Sequence, residues 1–376
     1  MKAVVLGGGV SGYMVANRLL SLHKVNEVVL VSSKDIPTIG VGEGTAPYFL
    51  RYLESVGIKE QNFMEVTDAT YKYGVHYKGW WDNDFVNAFP LESINQEELK
   101  EMSESIIEGR EIKKKHIYGI HFDCNKAIDF LRTKAESNNH YTHVEGEASV
   151  VFDGDEISHV LVNGKKIVAD YYVNCASAGL FNEDYVYLNQ YNNSAITCHL
   201  PYDGNMQYTG AKTMSAGWRW SIPLKGRIGY GYVFDNNYID EADAKQELLD
   251  SIGVKSAETR TIRYQSKYAT NAYGKNYATI GLAQNFLDPL DTLSLISNCS
   301  AIDWMVEHIV YGRIDLVNSK YRNQMGVMMS HLNSQYVHQN REEEYWVNRR
   351  ESGLKTYPKH RPSSITLLTY IGRGFL

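Results

Sequence analysis

Ala3–Val4–Val5–Leu6–Gly7–Gly8–Gly9–Val10–Ser11–Gly12 is the stretch that decides the fold. Its first four residues are wholly apolar, the mark of a strand buried on both faces of a parallel sheet. The glycine run leads into a segment with Met14, Val15, Leu19 and Leu20 at helical spacing, and a second apolar strand, Val28 to Val31, follows. This is the GxGxxG fingerprint in its required order of strand, glycine turn, helix and strand. Gly7 makes the tight turn, Gly9 lets backbone approach a pyrophosphate, and Gly12 lets the helix pack closely. Gly8, Val10 and Ser11 complete the phosphate-binding turn, because the first amides of a helix are unpaired and carry positive potential. The fingerprint also wants an acid at the end of the second strand. Ser32–Ser33–Lys34 stands there, with Asp35 slightly late. Ser33 can still hydrogen-bond a ribose hydroxyl, so the motif alone leaves NAD and FAD both open.

Working outward, the 376 residues suffice for two or three domains or one large one. A chain 43% apolar and 22% charged is neither disordered, collagen-like nor a coiled coil. A net charge of −6 gives no electrostatic case for nucleic acid, and the one dense basic run, Lys113–Lys114–Lys115, reads as a solvated face. No apolar run approaches the length of a membrane span. The N-terminus lacks the basic region and cleavage site of a secretion signal. Cys124, Cys175, Cys198 and Cys299 lie far apart without metal-ligand spacing, so no metal site is expected and a reduced, cytoplasmic chain is.

Further along, Asn125 is placed to cap a helix from about Lys126 to Glu136. Strand-like runs at 148–152, 156–162 and 166–174 are separated by Asp153–Gly154–Asp155 and Asn163–Gly164, both hairpin turns. Hairpins inserted after a βαβ unit fit an α/β flavoprotein of the glutathione-reductase/hydroxylase kind, with an interleaved antiparallel sheet, better than a simple doubly wound dehydrogenase. Helical patterning dominates from about residue 294. The expected organisation is therefore an FAD-binding and catalytic domain over 1–300 and a helical C-terminal segment over 301–376.

More specific motifs are Gly40–Val41–Gly42–Glu43–Gly44–Thr45–Ala46–Pro47, Ala69–Thr70–Tyr71–Lys72, Gly217–Trp218–Arg219–Trp220–Ser221–Ile222–Pro223 and Asp288–Pro289–Leu290–Asp291–Thr292–Leu293–Ser294. Tyr118–Gly119–Ile120–His121–Phe122–Asp123, with the helix after it, adds to them. Together with the glycine turn, this series resembles the flavin-dependent halogenases of the tryptophan-halogenase type. The WxWxIP stretch is the most specific element, and the resemblance runs in order from Val4 to about Trp346.

The resemblance implies that reduced FAD, O2 and halide yield hypohalous acid, which travels through the protein to a lysine beside an aromatic substrate. Lys72 matches that lysine. It either polarises hypohalous acid as an ammonium or forms a haloamine. Asp291 falls where the family carries a glutamate, and would take the ring proton as general base. Leu293 and Ser294 match the residues whose backbone amides hold halide, with Ser294 in place of a glycine. Trp218 and Trp220, with Ile222 and Pro223, match the wall between flavin and substrate. Phe89 lines up with an aromatic that stacks on substrate, and Asn87 with a substrate-contacting histidine. Ser33, Ile36, Gly42, Glu43, Ala148, Leu282 and Leu295 fall on the cofactor side.

The chain is shorter than tryptophan halogenases of this type, and the part without a counterpart is mostly the C-terminal lid over the amino-acid substrate. The corresponding expectations are a broad choice of electron-rich aromatics and a preference for bromide or iodide over chloride. A separate flavin reductase supplies FADH2, by diffusion or transient contact, and a homo-oligomer is compatible with the reading. Compact members occur among virus-encoded relatives, so a viral source, acting in host cytoplasm, is the matching expectation. The rival readings are a flavin-dependent monooxygenase or oxidoreductase on the same fold, and a catalytically degenerate flavin-binding protein.

Overall fold

The computed structural model describes residues 1–34, 42–81, 84–89, 96–110, 117–189 and 191–356. Ile36, Gly40, Val41 and the Lys113–Lys115 run lie outside the described residues.

The apolar strand Lys2–Leu6 lies at the centre of a five-stranded, all-parallel sheet. Tyr171–Asn174 and Glu27–Ser32 flank it, with Tyr277–Thr279 and Tyr141–Glu145 outside them. Burial on both faces explains its unbroken apolar run. Between the first two strands, helix Val10–Leu20 returns across the sheet and packs on helix Cys124–Glu136. That second helix is capped by Asp123, whose carboxylate accepts from the amides of Asn125 and Lys126. Asn125 is therefore inside the helix rather than its cap.

The hairpin turns at Gly154 and at Asn163–Gly164 join three antiparallel strands, Ala148–Asp153, Glu156–Val162 and Lys165–Ile167. Both residues of the second turn have positive φ (49° and 77°), as a tight hairpin needs. The expected strand over 166–174 is two strands. At Asp170, which exchanges hydrogen bonds with the Lys2 backbone, the chain leaves the hairpin sheet and enters the parallel one.

Two further sheets carry the chemistry-bearing motifs. The seven-stranded sheet runs in the order Thr259–Arg263, Ser194–Tyr202, Gly226–Phe234, Gly217–Leu224, Thr209–Met214, Gly74–Lys78, Phe85–Ala88. The three-stranded sheet pairs Gly119–Asp123 with Gly42–Gly44 on one side and Thr70–Lys72 on the other. The C-terminal helices Leu293–Tyr311, Ile314–Val337 and Glu344–Thr356 pack back onto this body. One apolar cluster takes in residues from Ala3 to Trp346, so these helices share the core of the parallel sheet. Among the described residues no helix is long and apolar enough to cross a membrane.

Candidate active site

A cavity of 1410 Å³ opens at the carboxyl ends of the parallel strands, reaching Leu6, Ser32 and Glu145. Gly7, Gly8, Gly9, Val10 and Ser11 line it, followed by Ser33, Glu43, Ala148, Leu282 and Leu295. Gly7 turns with φ 116°. A Cβ on Gly12 would lie 1.9 Å from the Gly7 carbonyl oxygen, so the helix touches the turn only because Gly12 has none. A Cβ on Gly9 would meet nothing within 4 Å, which leaves its backbone open to the cavity. The helix beginning at Val10 has no side-chain cap and no acid in its first turn, so its leading amides are free for an anion. A dinucleotide pyrophosphate fits this cradle. At the ribose end, Ser32 Oγ lies 2.9 Å from His143 Nε2, and Lys34 pairs with Glu145.

The same cavity extends to Trp218, Trp220, Ile222 and the run Pro289–Leu295, including Asp291, Leu293 and Ser294. Trp218 and Trp220 lie side by side with ring centroids 6.2 Å apart. Trp218 Nε1 donates to Asp288 Oδ1 at 3.1 Å. Asn192 and Tyr336 each donate to Asp288 Oδ2 at 2.9 Å, and the Leu290 amide donates to Oδ1. Burial raises the Asp288 carboxyl above the usual range despite these four donors.

Lys72 ends the strand Thr70–Lys72 and is 1% exposed, so it is no surface lysine. Room for its ammonium comes from Gly44, where a Cβ would stand 3.2 Å from Lys72 Nζ. Nζ donates to Thr292 Oγ1 at 2.7 Å and lies 5.6 Å from the centre of the Phe89 ring. Among the described residues no carboxylate lies within 4.0 Å of it. Burial lowers its pKa to about 8, against the opposing pull of Asp291 and Glu43. Burial likewise raises Glu43 to about 7, though the Cys124 thiol and Lys72 work against it.

Asp291 and Thr292 both adopt left-handed backbone, φ 58° and 63°. Sequence comparison put the glycine requirement at Ser294; the chain makes the turn two residues earlier, and Ser294 sits in regular helix where a Cβ is harmless. Asp291 does not cap that helix. Its Oδ2 accepts from Tyr77 Oη and His331 Nε2, both at 2.6 Å. Its Oδ1 is buried with no partner among the described residues. Burial pushes this carboxyl up, but His331, Tyr77 and Lys72 together outweigh it and hold the pKa below the usual value.

Thr70 Oγ1 donates to the Pro223 carbonyl at 2.7 Å, so it accepts from His121 Nδ1 at 3.1 Å. His121 Nε2 is then the acceptor for Thr209 Oγ1 at 2.8 Å. Burial, and after it the Lys72 charge, holds this ring well below its ordinary pKa and hence neutral. Pro223 thus acts through its carbonyl, tying the WxWxIP strand to the lysine strand, and does not line the cavity. Asn87 and Phe89 follow Phe85 on the edge of the seven-stranded sheet. Asn87 pairs with Val75, which lines the cavity, so the two share a face. Phe89 is buried against the core, and neither it nor Asn87 is among the cavity-lining residues. Tyr77, His331, His121, Thr292 and Asp288 are the polar partners that motif reading did not assign.

A Rossmann-like body whose cavity runs from a pyrophosphate cradle to Asp291 and Thr292, the latter bonded to a buried lysine that does not itself line the cavity, defines the class: a flavin-dependent oxidoreductase with a second polar site. A family profile described as tryptophan halogenase matches residues 2–104 and 86–365, and the chain belongs to that family. Tryptophan 6-halogenase SttH of Streptomyces toxytricini is 28% identical over 378 residues, covering 83% of this chain and 72% of its own. Its crystal structure superimposes with a TM-score of 0.85 at 25% identity, covering 93% of this chain and 82% of that one. Tryptophan 6-halogenase ThaL of Streptomyces albogriseolus is 27% identical over 368 residues, 81% of this chain and 69% of its own. A tryptophan halogenase from Shewanella frigidimarina shares the fold, with a TM-score of 0.86 at 22% identity over 96% of this chain and 81% of that one. The chain is thus an enzyme of the flavin-dependent halogenase type, a group that uses FADH2, O2 and halide on aromatic substrates.

Proposed function

We propose that this chain halogenates electron-rich aromatic small molecules with hypohalous acid relayed to Lys72, and that Asp291 takes the ring proton. The observation that carries the reading is Lys72 itself. A lysine this buried is normally paired with a carboxylate. Among the described residues this one is held by a single threonine hydroxyl, and the neighbouring Asp291 carboxylate has an oxygen without a partner.

FAD, held by Gly7–Gly12, Ser33, Glu43, Ala148, Leu282 and Leu295 and delivered reduced by a separate reductase, would supply the O2 activation that oxidises halide. Leu293 and Ser294 present amides of an uncapped helix N-terminus to the halide. Trp218 and Trp220 separate that end of the cavity from the lysine, so only a small oxidant passes. At Lys72 the ammonium donates to the oxygen of hypohalous acid and makes the halogen electrophilic. The ring's π electrons form the carbon–halogen bond as the halogen–oxygen bond breaks, and the oxygen leaves as water with a proton from Lys72. The ring proton goes to Asp291 Oδ1, and its C–H pair restores aromaticity. Phe89 and Asn87, on the Val75 face, are the residues proposed to meet the ring. Bromide and iodide, more easily oxidised, should turn over faster than chloride.

The test is product analysis by mass spectrometry with an added flavin reductase, each of the three halides and a panel of phenols, anilines and azoles. A carbon–halogen product that requires both halide and enzyme supports the reading. Oxygenated products independent of halide, or none at all, would remove it.

A further inference from the structure

Asp291 is gripped on one side only. Tyr77, on strand Gly74–Lys78, and His331, on helix Ile314–Val337, both donate to Oδ2, while Oδ1 of this cavity-lining residue has no partner among the described residues. The last torsion of an aspartate is broad, so its two oxygens ordinarily exchange roles at little energy. Two donors converging on one oxygen remove that freedom. The Asp291 backbone is also already committed to φ 58°. Its direction must therefore be set from outside.

We infer that His331 is the positioning residue of the proton-accepting carboxylate: with Tyr77 it fixes Oδ2 and leaves the unpartnered Oδ1 as the oxygen able to take a proton. This deepens the function proposed above and rests on it. Sequence reading passes over His331 because it lies 40 residues from Asp291, amid a buried run of mixed polarity. The charged and titratable groups around the carboxylate come from four elements. Lys72 and Glu43 belong to the three-stranded sheet, Tyr77 to the seven-stranded one, Asp288 to the same loop and His331 to the long helix. The hydrogen bonds from His331 and Tyr77 and the charge of Lys72 favour the ionised carboxylate, while Glu43 acts on Lys72 and Asp288 on Tyr77. The role rests on the imidazole N–H that donates to Oδ2 at 2.6 Å.

The test compares His331→Leu, which removes the donor, with His331→Gln, which keeps an N–H of similar reach. In the leucine variant kcat for halogenation should fall about 10–100-fold with KM for the aromatic nearly unchanged. Glutamine should recover most of that loss. FADH2 oxidation by O2 and FAD affinity should match the wild type in both. On the apoprotein, proton NMR should show a low-field, slowly exchanging imidazole N–H that disappears in His331→Leu and in Asp291→Ala. Undiminished kcat in His331→Leu, no advantage of glutamine over leucine, or loss of FAD affinity along with halogenation would each overturn the inference. Should the wild type yield no halogenated product, the function proposed above fails, and the NMR signal still decides whether His331 holds Asp291.

Discussion

Two helix N-termini open onto one cavity, and they are built in opposite ways. At Val10 the chain arrives through glycines, with Gly7 at φ 116°, and offers bare amides without an acidic neighbour. At Leu293 it arrives through two left-handed residues that are not glycine, Asp291 and Thr292, each with a side chain hydrogen-bonded to a distant part of the chain. Left-handed backbone on such residues costs about 1–3 kcal/mol each and persists only where surroundings over-determine it. Here the surroundings are Lys72 on Thr292, with Tyr77 and His331 on Asp291. The first terminus is shaped to let a ligand's phosphates come close. The second uses the same amides but places ionisable groups beside them. Changes at the first should act on cofactor binding, and changes at the second on what is done with the oxidant.

That division can be broken by experiment. Asp291→Asn keeps the size of the side chain and removes its basicity. Halogenation should slow by about 10²–10³-fold while FAD affinity stays put; weakened FAD binding of similar size would merge the two regions into one.

Lys72 makes a prediction about stability. Its folded pKa is near 8, against an ordinary value of 10.5. Between those values Lys72 binds more proton in the unfolded chain than in the folded one, so this residue contributes a gain of stability with rising pH across that window, against the buried cysteines, whose raised pKa values act in the opposite sense. Lys72→Met removes a buried charge and one hydrogen bond. At neutral pH it should therefore stabilise the protein by about 2 kcal/mol, an advantage that shrinks as pH rises toward 10.5. Urea unfolding at two pH values checks this, and identical slopes for variant and wild type would contradict it.

At the other terminus, Gly12→Ala drives a methyl into the Gly7 carbonyl and must displace the helix start. We expect FAD affinity to drop by about tenfold or more, from an overpacking strain of about 1–3 kcal/mol. The variant should still halogenate once FAD is saturating. A titration of flavin fluorescence measures the first effect, and product formation at high FAD measures the second.

The two regions also differed in how readable they were. The glycine terminus is contiguous: strand, turn and helix occupy Lys2 to Leu20, and local rules of spacing and backbone freedom suffice. The second terminus is assembled across the chain. Thr292 meets Lys72 from 220 positions away, and Asp291 meets Tyr77 from 214. Resemblance to a family pointed to Lys72 and Asp291, but the partners that hold Asp291, Tyr77 and His331, carry no motif. Asn125 was mistaken for a cap because Asp123, two residues earlier, satisfies the same amides from outside the helix. The apolar run at 166–174 hid a change of sheet, since alternation in sequence does not say which neighbour a strand will pair with.

The measurement that bears most directly on the division is a parallel assay of Lys72→Met with FADH2, O2, bromide and a phenol. Oxidation of FADH2 is followed in one channel, free hypohalous acid by a chromogenic trap in the second, and brominated phenol in the third. The account predicts near wild-type FADH2 oxidation, oxidant escaping to the trap, and no enzyme-dependent brominated phenol beyond what free oxidant gives when the trap is absent. Brominated phenol formed at the wild-type rate with the trap present would contradict it.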